Sequence, residues 1–209
     1  MEVLKLKPIS NKKIVIYLLE NIGFDSQLTD LEILKEIIEN NNIKFITVDI
    51  NGINFKTFKN STLLRILNAF NIEYYLLDMP EHAYGCLYAE ITKNEEKISE
   101  LLQEYRNMDD KYSFKGLNLK SWIDVLKKEV FQDKNILELK TRPQWIVKKI
   151  LDIVRTYQNE KIFLIHFAHK ITLPEIIKQL KELQIEAIVY DYYSIHNIPY
   201  LIIKQGESN

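Results

Sequence analysis

Glycine and cysteine are scarce in this chain, with five and one among 209 residues. No two glycines lie close enough to make a phosphate-cradling loop, which excludes P-loop NTPases and the common dinucleotide-binding fingerprint. Cys86 alone can form neither an internal disulfide nor a cysteine-rich zinc site. It stands in the run Tyr-Gly-Cys-Leu-Tyr with no cation beside it, and Gly-x-Ser-x-Gly is absent, so nucleophilic catalysis by Cys or Ser is disfavoured. Long apolar runs are missing too. The first, Ile14 to Leu19, ends at Glu20, too short for a signal sequence or a membrane span. The expected setting is therefore a reducing cytoplasm, away from membranes. Nor is there an excess of one charge. The net charge is −1 and the pI about 6.5, so the footprint of a general nucleic-acid binder is lacking.

What is present is a regular alternation. Three apolar runs of high strand propensity, Ile14–Glu20, Ile43–Asp49 and Ile72–Asp78, recur at a step of 29 residues. Gly23 and Gly52 follow the first two at the same offset, and helical patterns follow each, Leu31 to Glu39 and Ser61 to Phe70. Near-continuous apolar strands suit a sheet covered on both faces, and the intervening helices allow the crossover that parallel strands require. Four capping-box patterns mark helix starts: Thr29 with Glu32, Thr92 with Glu95, Thr141 with Gln144, and Thr172 with Glu175. They place Ala83–Thr92 as a fourth extended segment and helices near 94–106, 118–131 and 143–158. Strand 161–167, helix 173–183, strand 187–192, a turn at Ser194–Asn197 and strand 200–204 complete the chain. The expectation is one Rossmann-like α/β domain over residues 1–209. It has a mostly parallel sheet, a helical insertion at about 93–158 and an antiparallel hairpin at its C-terminal edge.

Ligands of such sheets sit beyond the carboxyl ends of the strands. All three regular strands end in an acid, Glu20, Asp49 and Asp78. If the strands are neighbours, these carboxylates converge as a hard cation such as Mg²⁺ or Mn²⁺ demands, with Asp25, Asn51 and Asn54 as further oxygen donors in the same loops. The structural alternative is that they terminate strands and cap the helices that follow. His82, in Asp-Met-Pro-Glu-His, and His169, in His-Phe-Ala-His beside His166, are candidates to move a proton. Asp191, ending the strand Ala187 to Tyr190, could join them, and a zinc site on His166 and His169 would need a third ligand from His82, His196 or a carboxylate.

Charge is segregated: Glu73–Asp110 is strongly acidic and Lys115–Arg155 basic. On helix 143–158 the apolar stripe Ile146, Val147, Ile150, Leu151, Val154, Tyr157 leaves Lys148, Lys149 and Arg155 off it. These three are expected to form an electropositive face for a polyanion or an acidic partner, unpaired with the acidic segment before it. The reading that uses most of these features is a metal-dependent phosphoester hydrolase acting on nucleic acid or a nucleotide. The alternatives are a non-catalytic module for a nucleotide or other small ligand, and a scaffold that engages a protein partner through the charged insertion.

Overall fold

The computed structural model describes residues 9, 12–21, 28–50, 58–190 and 201–203. In chain order these form β1 (Lys13–Asn21), α1 (Leu28–Asn40), β2 (Ile43–Asp49), α2 (Thr62–Phe70), β3 (Glu73–Leu77), α3 (Glu81–Arg106), α4 (Phe114–Ile136), α5 (Arg142–Thr156), β4 (Lys161–His169), α6 (Leu173–Glu182), β5 (Glu186–Tyr190) and β6 (Leu201–Ile203). A π-helical segment, Leu137–Thr141, continues α4 into α5.

The strands make one sheet in the order β3-β2-β4-β1-β5-β6. β1 to β5 run parallel, which makes the protein a Rossmann-like α/β fold. The expected parallel relation of the first three strands therefore holds. They are not consecutive neighbours, however, because β4 lies between β1 and β2. β6 pairs antiparallel with β5 over three residues. The expected turn at Ser194–Asn197 lies outside the described residues.

The two-residue pleat of each strand feeds both faces of the sheet. Ile14, Ile16 and Leu18 of β1 join Ile146, Ile150 and Val154 of α5 and Ile176 and Leu180 of α6 in one buried cluster. Val15, Tyr17 and Leu19 join Leu34 and Ile37 of α1 and Leu63 and Leu67 of α2 in the other. The edge strand β3 carries Glu73, which accepts hydrogen bonds from Tyr75 Oη at 2.5 Å and Tyr157 Oη at 2.6 Å. Phe45 stacks on Tyr157 with ring centroids 5.1 Å apart.

The chain divides into two compact units, residues 1–78 with 142–209, and residues 79–141. The sheet unit includes α5, which the sequence reading counted with the insertion. The helical unit is a hairpin of α3 and α4. Its first turns fall on Ala83–Thr92, expected as extended but helical. There Tyr84, Tyr88 and Ile91 recur at helical steps, and Tyr84 and Tyr88 stack one turn apart with centroids at 5.4 Å. Thr92 is no cap, since its hydroxyl donates to the Tyr88 carbonyl at 3.1 Å inside the helix. Thr29 falls within α1 and Thr141 at the end of the π-helical segment, rather than in the coil before a helix. The caps at α2 and α4 are single serines. Ser61 accepts from Leu64 N–H at 3.2 Å at the start of α2, and Ser113 accepts from Gly116 N–H at 3.2 Å at the start of α4.

The acidic and basic segments do meet, contrary to expectation, within the hairpin. Lys115 pairs with Glu104 at 2.8 Å and Lys134 with Glu95 at 2.6 Å. Both pairs are solvent-exposed, where an ion pair contributes about 0–1 kcal/mol, so they align the helices more than they stabilise them.

The glycines of the hairpin are opposite in kind. A Cβ on Gly116 would lie 2.4 Å from the Lys111 carbonyl oxygen, whereas one on Gly85 would meet nothing within 4 Å. Gly116→Ala is expected to destabilise the protein by about 1–3 kcal/mol, because backbone has to move to admit the methyl group. Gly85→Ala is expected to stabilise it by about 0.5–1 kcal/mol through the lower entropy of the unfolded chain. Thermal unfolding of the two variants beside the parent should show shifts of opposite sign. Shifts of the same sign would contradict this account of the loop.

Candidate functional site

The sheet face toward α5 and α6 changes character along the strands. Its lower rows are apolar, with Phe45 on β2, Leu164 on β4 and Ile16 on β1 side by side in one buried cluster. Two residues further along, the same face carries Thr47 on β2 and His166 on β4, level with Leu18 on β1, and one step beyond them come Asp49 and Glu20. Thr47 and His166 are cross-strand partners in the ladder between β2 and β4. A polar layer therefore lies over an apolar core at the carboxyl end of the neighbouring strands β2 and β4.

Thr47, Asp49 and His166 are fully buried. Thr47 Oγ1 lies 2.9 Å from His166 Nδ1 and 3.3 Å from the Ile165 carbonyl oxygen. His166 Nε2 has no hydrogen-bond partner among the described residues. Burial lowers the pKa of His166 to about 4, against an opposing pull from the charge of Asp49, so the imidazole is neutral at physiological pH.

Asp49 reaches across to the turn between β4 and α6. Its Oδ2 accepts the Thr172 hydroxyl at 2.8 Å and the His169 backbone N–H at 3.4 Å. Thr172 stands at the expected helix boundary but makes no side-chain cap, because its hydroxyl is turned to Asp49 and to the His169 carbonyl oxygen. The carboxylate of Asp49 thus stands beside Thr172, the residue that precedes α6, where the helix dipole favours negative charge. His169 is half-buried, and its Nδ1 accepts from Ile171 N–H at 3.2 Å. That bond assigns the proton of the neutral ring to Nε2, leaving a donor at the strand end.

The other expected residues are dispersed. Glu20, half-buried at the end of β1, is opposite Ala168, and β4 separates its strand from that of Asp49. Asp78 follows β3 and pairs with Arg142 at the start of α5 at 2.5 Å. Among the described residues, no three or more His, Cys, Asp or Glu side chains are grouped to hold a metal. Glu20, Asp49 and Asp78 as placed do not fit a shared Mg²⁺ or Mn²⁺ site, because the strand order keeps β1 away from β2 and Arg142 engages Asp78. His82 is exposed in the first turn of α3 and belongs to the helical unit. Lys148 and Arg155 both turn to Asp152 of their own helix, at 2.8 and 2.7 Å, and Lys149 is half-buried. The expected cationic face is therefore partly neutralised from within α5. Asp25, Asn51, Asn54, Asp191 and His196 lie outside the described residues.

The sequence reading missed the roles of Thr47, Thr172 and Arg142. For Thr47 a signal existed: in Phe45-Ile-Thr-Val-Asp49 and Leu164-Ile-His-Phe-Ala168, alternate positions pass from apolar to polar on the same face. No local pattern announced the bonds from Thr172 to Asp49 or from Arg142 to Asp78, since each spans distant stretches of chain. No family model, curated protein or solved structure matches the chain. The class the structure defines is thus a Rossmann-like α/β protein with a helical hairpin between β3 and α5.

Two measurements test the polar layer. Above pH 6.5, the ordinary imidazole value, His166 is neutral in both the folded and unfolded chain and adds no pH dependence. Between there and about 4 the unfolded chain takes up a proton that the native state refuses, so stability falls as pH falls. In His166→Gln the decline across this window, followed by urea unfolding, should be shallower, and an unchanged slope would place the linkage elsewhere. Thr172→Val keeps the shape but deprives the buried Asp49 carboxylate of a donor, at an expected cost of about 1–3 kcal/mol. Thr172→Ser should restore most of that loss, and a Val variant as stable as the parent would deny the hydroxyl its role.

Proposed function

We propose that the protein binds a small, neutral or cationic, hydrogen-bonding ligand at the carboxyl end of β2 and β4. One observation carries this reading: the buried polar layer coincides with the point where the chain connections diverge. The chain leaves β2 toward β3 on one side and leaves β4 toward β5 on the other. Such a divergence opens the crevice in which α/β sheets hold their ligands. Around it stand the Nε2–H of His169 as donor, the carboxylate of Asp49 as acceptor and the neutral ring of His166 below.

The character of the ligand follows from Asp49. Its charge already stands beside Thr172 at the start of α6, so a phosphate placed there would meet a like charge. A nucleoside-like molecule with N–H and O–H donors suits the layer better than a phosphoester. The hydrolase expectation, with its ion between three acids, is left aside because those acids are not gathered.

The test is thermal unfolding with adenosine, guanosine, cytidine and uridine, each compared with its 5′-monophosphate, and with Mg²⁺ and Mn²⁺ separately. A ligand at about 100 times its Kd stabilises by about 2.7 kcal/mol, a shift of a few degrees for a chain of this size. At least one nucleoside should raise Tm more than its monophosphate does, and Asp49→Asn should remove the effect. No shift with any nucleoside, or a larger one with the monophosphate, would overturn the proposal. A shift with metal alone that Asp49→Asn abolishes would also overturn it and return Asp49 to an ion-binding role.

A further inference from the structure

The helix α4 is apolar along two stripes. Gly116, Leu119, Ile123, Leu126 and Val130 recur at steps of three and four residues and are buried in the hairpin. A second series, Phe114, Leu117, Ser121, Val125, Lys128 and Phe131, has the same steps and lies on the other side of the helix. Phe114 is 82% exposed, Phe131 65%, Leu117 53% and Val125 51%, and Tyr112 just before the helix is 88% exposed. α3 supplies a partner for only one of the two stripes.

The apolar side chains of the second stripe, with Tyr112, present on the order of 500 Å². That lies in the upper part of what a monomer ordinarily leaves open as one patch, and is more than half of the roughly 800 Å² per partner of a standard interface. The charges within it are mixed. Leu117, Lys120, Ser121, Asp124, Val125 and Lys128 line a shallow groove along the stripe. Lys120 and Asp124 make no ion pair among the described residues.

We propose that the protein self-associates through this stripe. α4 of one copy packs antiparallel on α4 of a second, about a two-fold axis near Ser121–Val125, and the two hairpins form a four-helix arrangement. Charge complementarity selects a second copy as the occupant. An antiparallel crossing at that point brings Lys120 within a turn of Asp124 of the other helix, and the symmetry forms the same pair again. The small Ser121 at the crossing lets the backbones approach, while Phe114 and Leu117 of each helix lie along the half of the other that carries Lys128 and Phe131. With a net charge of −1 per chain, long-range repulsion does not oppose association.

The experiment is sedimentation equilibrium of the full chain, at concentrations up to about 50 µM, well above a micromolar Kd. The parent should be dimeric. Lys120→Glu sets a carboxylate against Asp124 of its twin, and Asp124→Lys sets lysine against lysine, so each variant alone should dimerise on the order of tenfold more weakly. An equimolar mixture of the two should recover the parent's association, because every cross pair is again of opposite sign. Leu117→Glu, which removes apolar contact without complement, should weaken association and not be rescued by either charge variant. Circular dichroism of each variant verifies that its helices are intact. A monomeric parent at the highest concentration, or a mixture no tighter than the separate variants, would overturn the proposal.

Discussion

The insertion of β4 between β1 and β2 is the constraint on which the rest of the structure depends. β1 and β2 follow each other closely in sequence yet do not touch as strands; each pairs instead with a strand more than a hundred residues further on. The centre of the sheet therefore closes only when residues 161–169 arrive, and with them α5 and α6, whose apolar stripes cover one face of the core. Pairings of such long separation are slow to form because loop closure precedes any gain from contact. The hairpin of α3 and α4 consists of local contacts, and so has what a fast-forming element requires while the sheet is still open.

The same insertion creates the polar layer. Thr47 meets His166 and Asp49 meets Thr172 only because β2 and β4 are neighbours. Buried polar groups of this kind lower stability unless they are hydrogen-bonded, and those of Asp49 and Thr47 are. The ring of His166 accommodates burial by shedding its charge. A fold optimised only for stability would extend the row of Phe45 and Leu164 to the ends of the strands, and the departure from that row is what singles this place out as the candidate site.

Strand identity, parallel direction and fold class were legible because they are written in local pattern: near-continuous apolar runs short enough for strands, separated by amphipathic helices. Strand order was not. Nothing in Ile14–Glu20 or Ile43–Asp49 states that a third strand will come between them, and the convergence of Glu20, Asp49 and Asp78 rested on that unstated adjacency. The capping-box pattern misled for a related reason. It needs only a hydroxyl and an acid or amide three residues apart, which a Glu-rich helix such as α3 supplies by chance, whereas Ser61 and Ser113 cap without the second member. Ala83–Thr92 read as extended because Thr92 with Glu95 marked a helix start after it, yet the helical spacing of Tyr84, Tyr88 and Ile91 prevailed. For the candidate site, Asp49 and His169 were legible as strand-end residues. Their engagement with Thr172 was not, because that contact joins turns about 120 residues apart in the chain.

Glu73 closes one border of the sheet to further strands. On the edge strand β3, its carboxylate is held by the phenols of Tyr157 and Tyr75, and these bonds keep its pKa below the ordinary glutamate value, so it remains ionised into mild acid. An incoming strand adding to this edge would have to strip or displace a fixed anion, a device by which open sheets resist runaway strand addition. A border guarded in this way turns back the open-ended, strand-by-strand growth by which exposed sheet edges propagate as fibres.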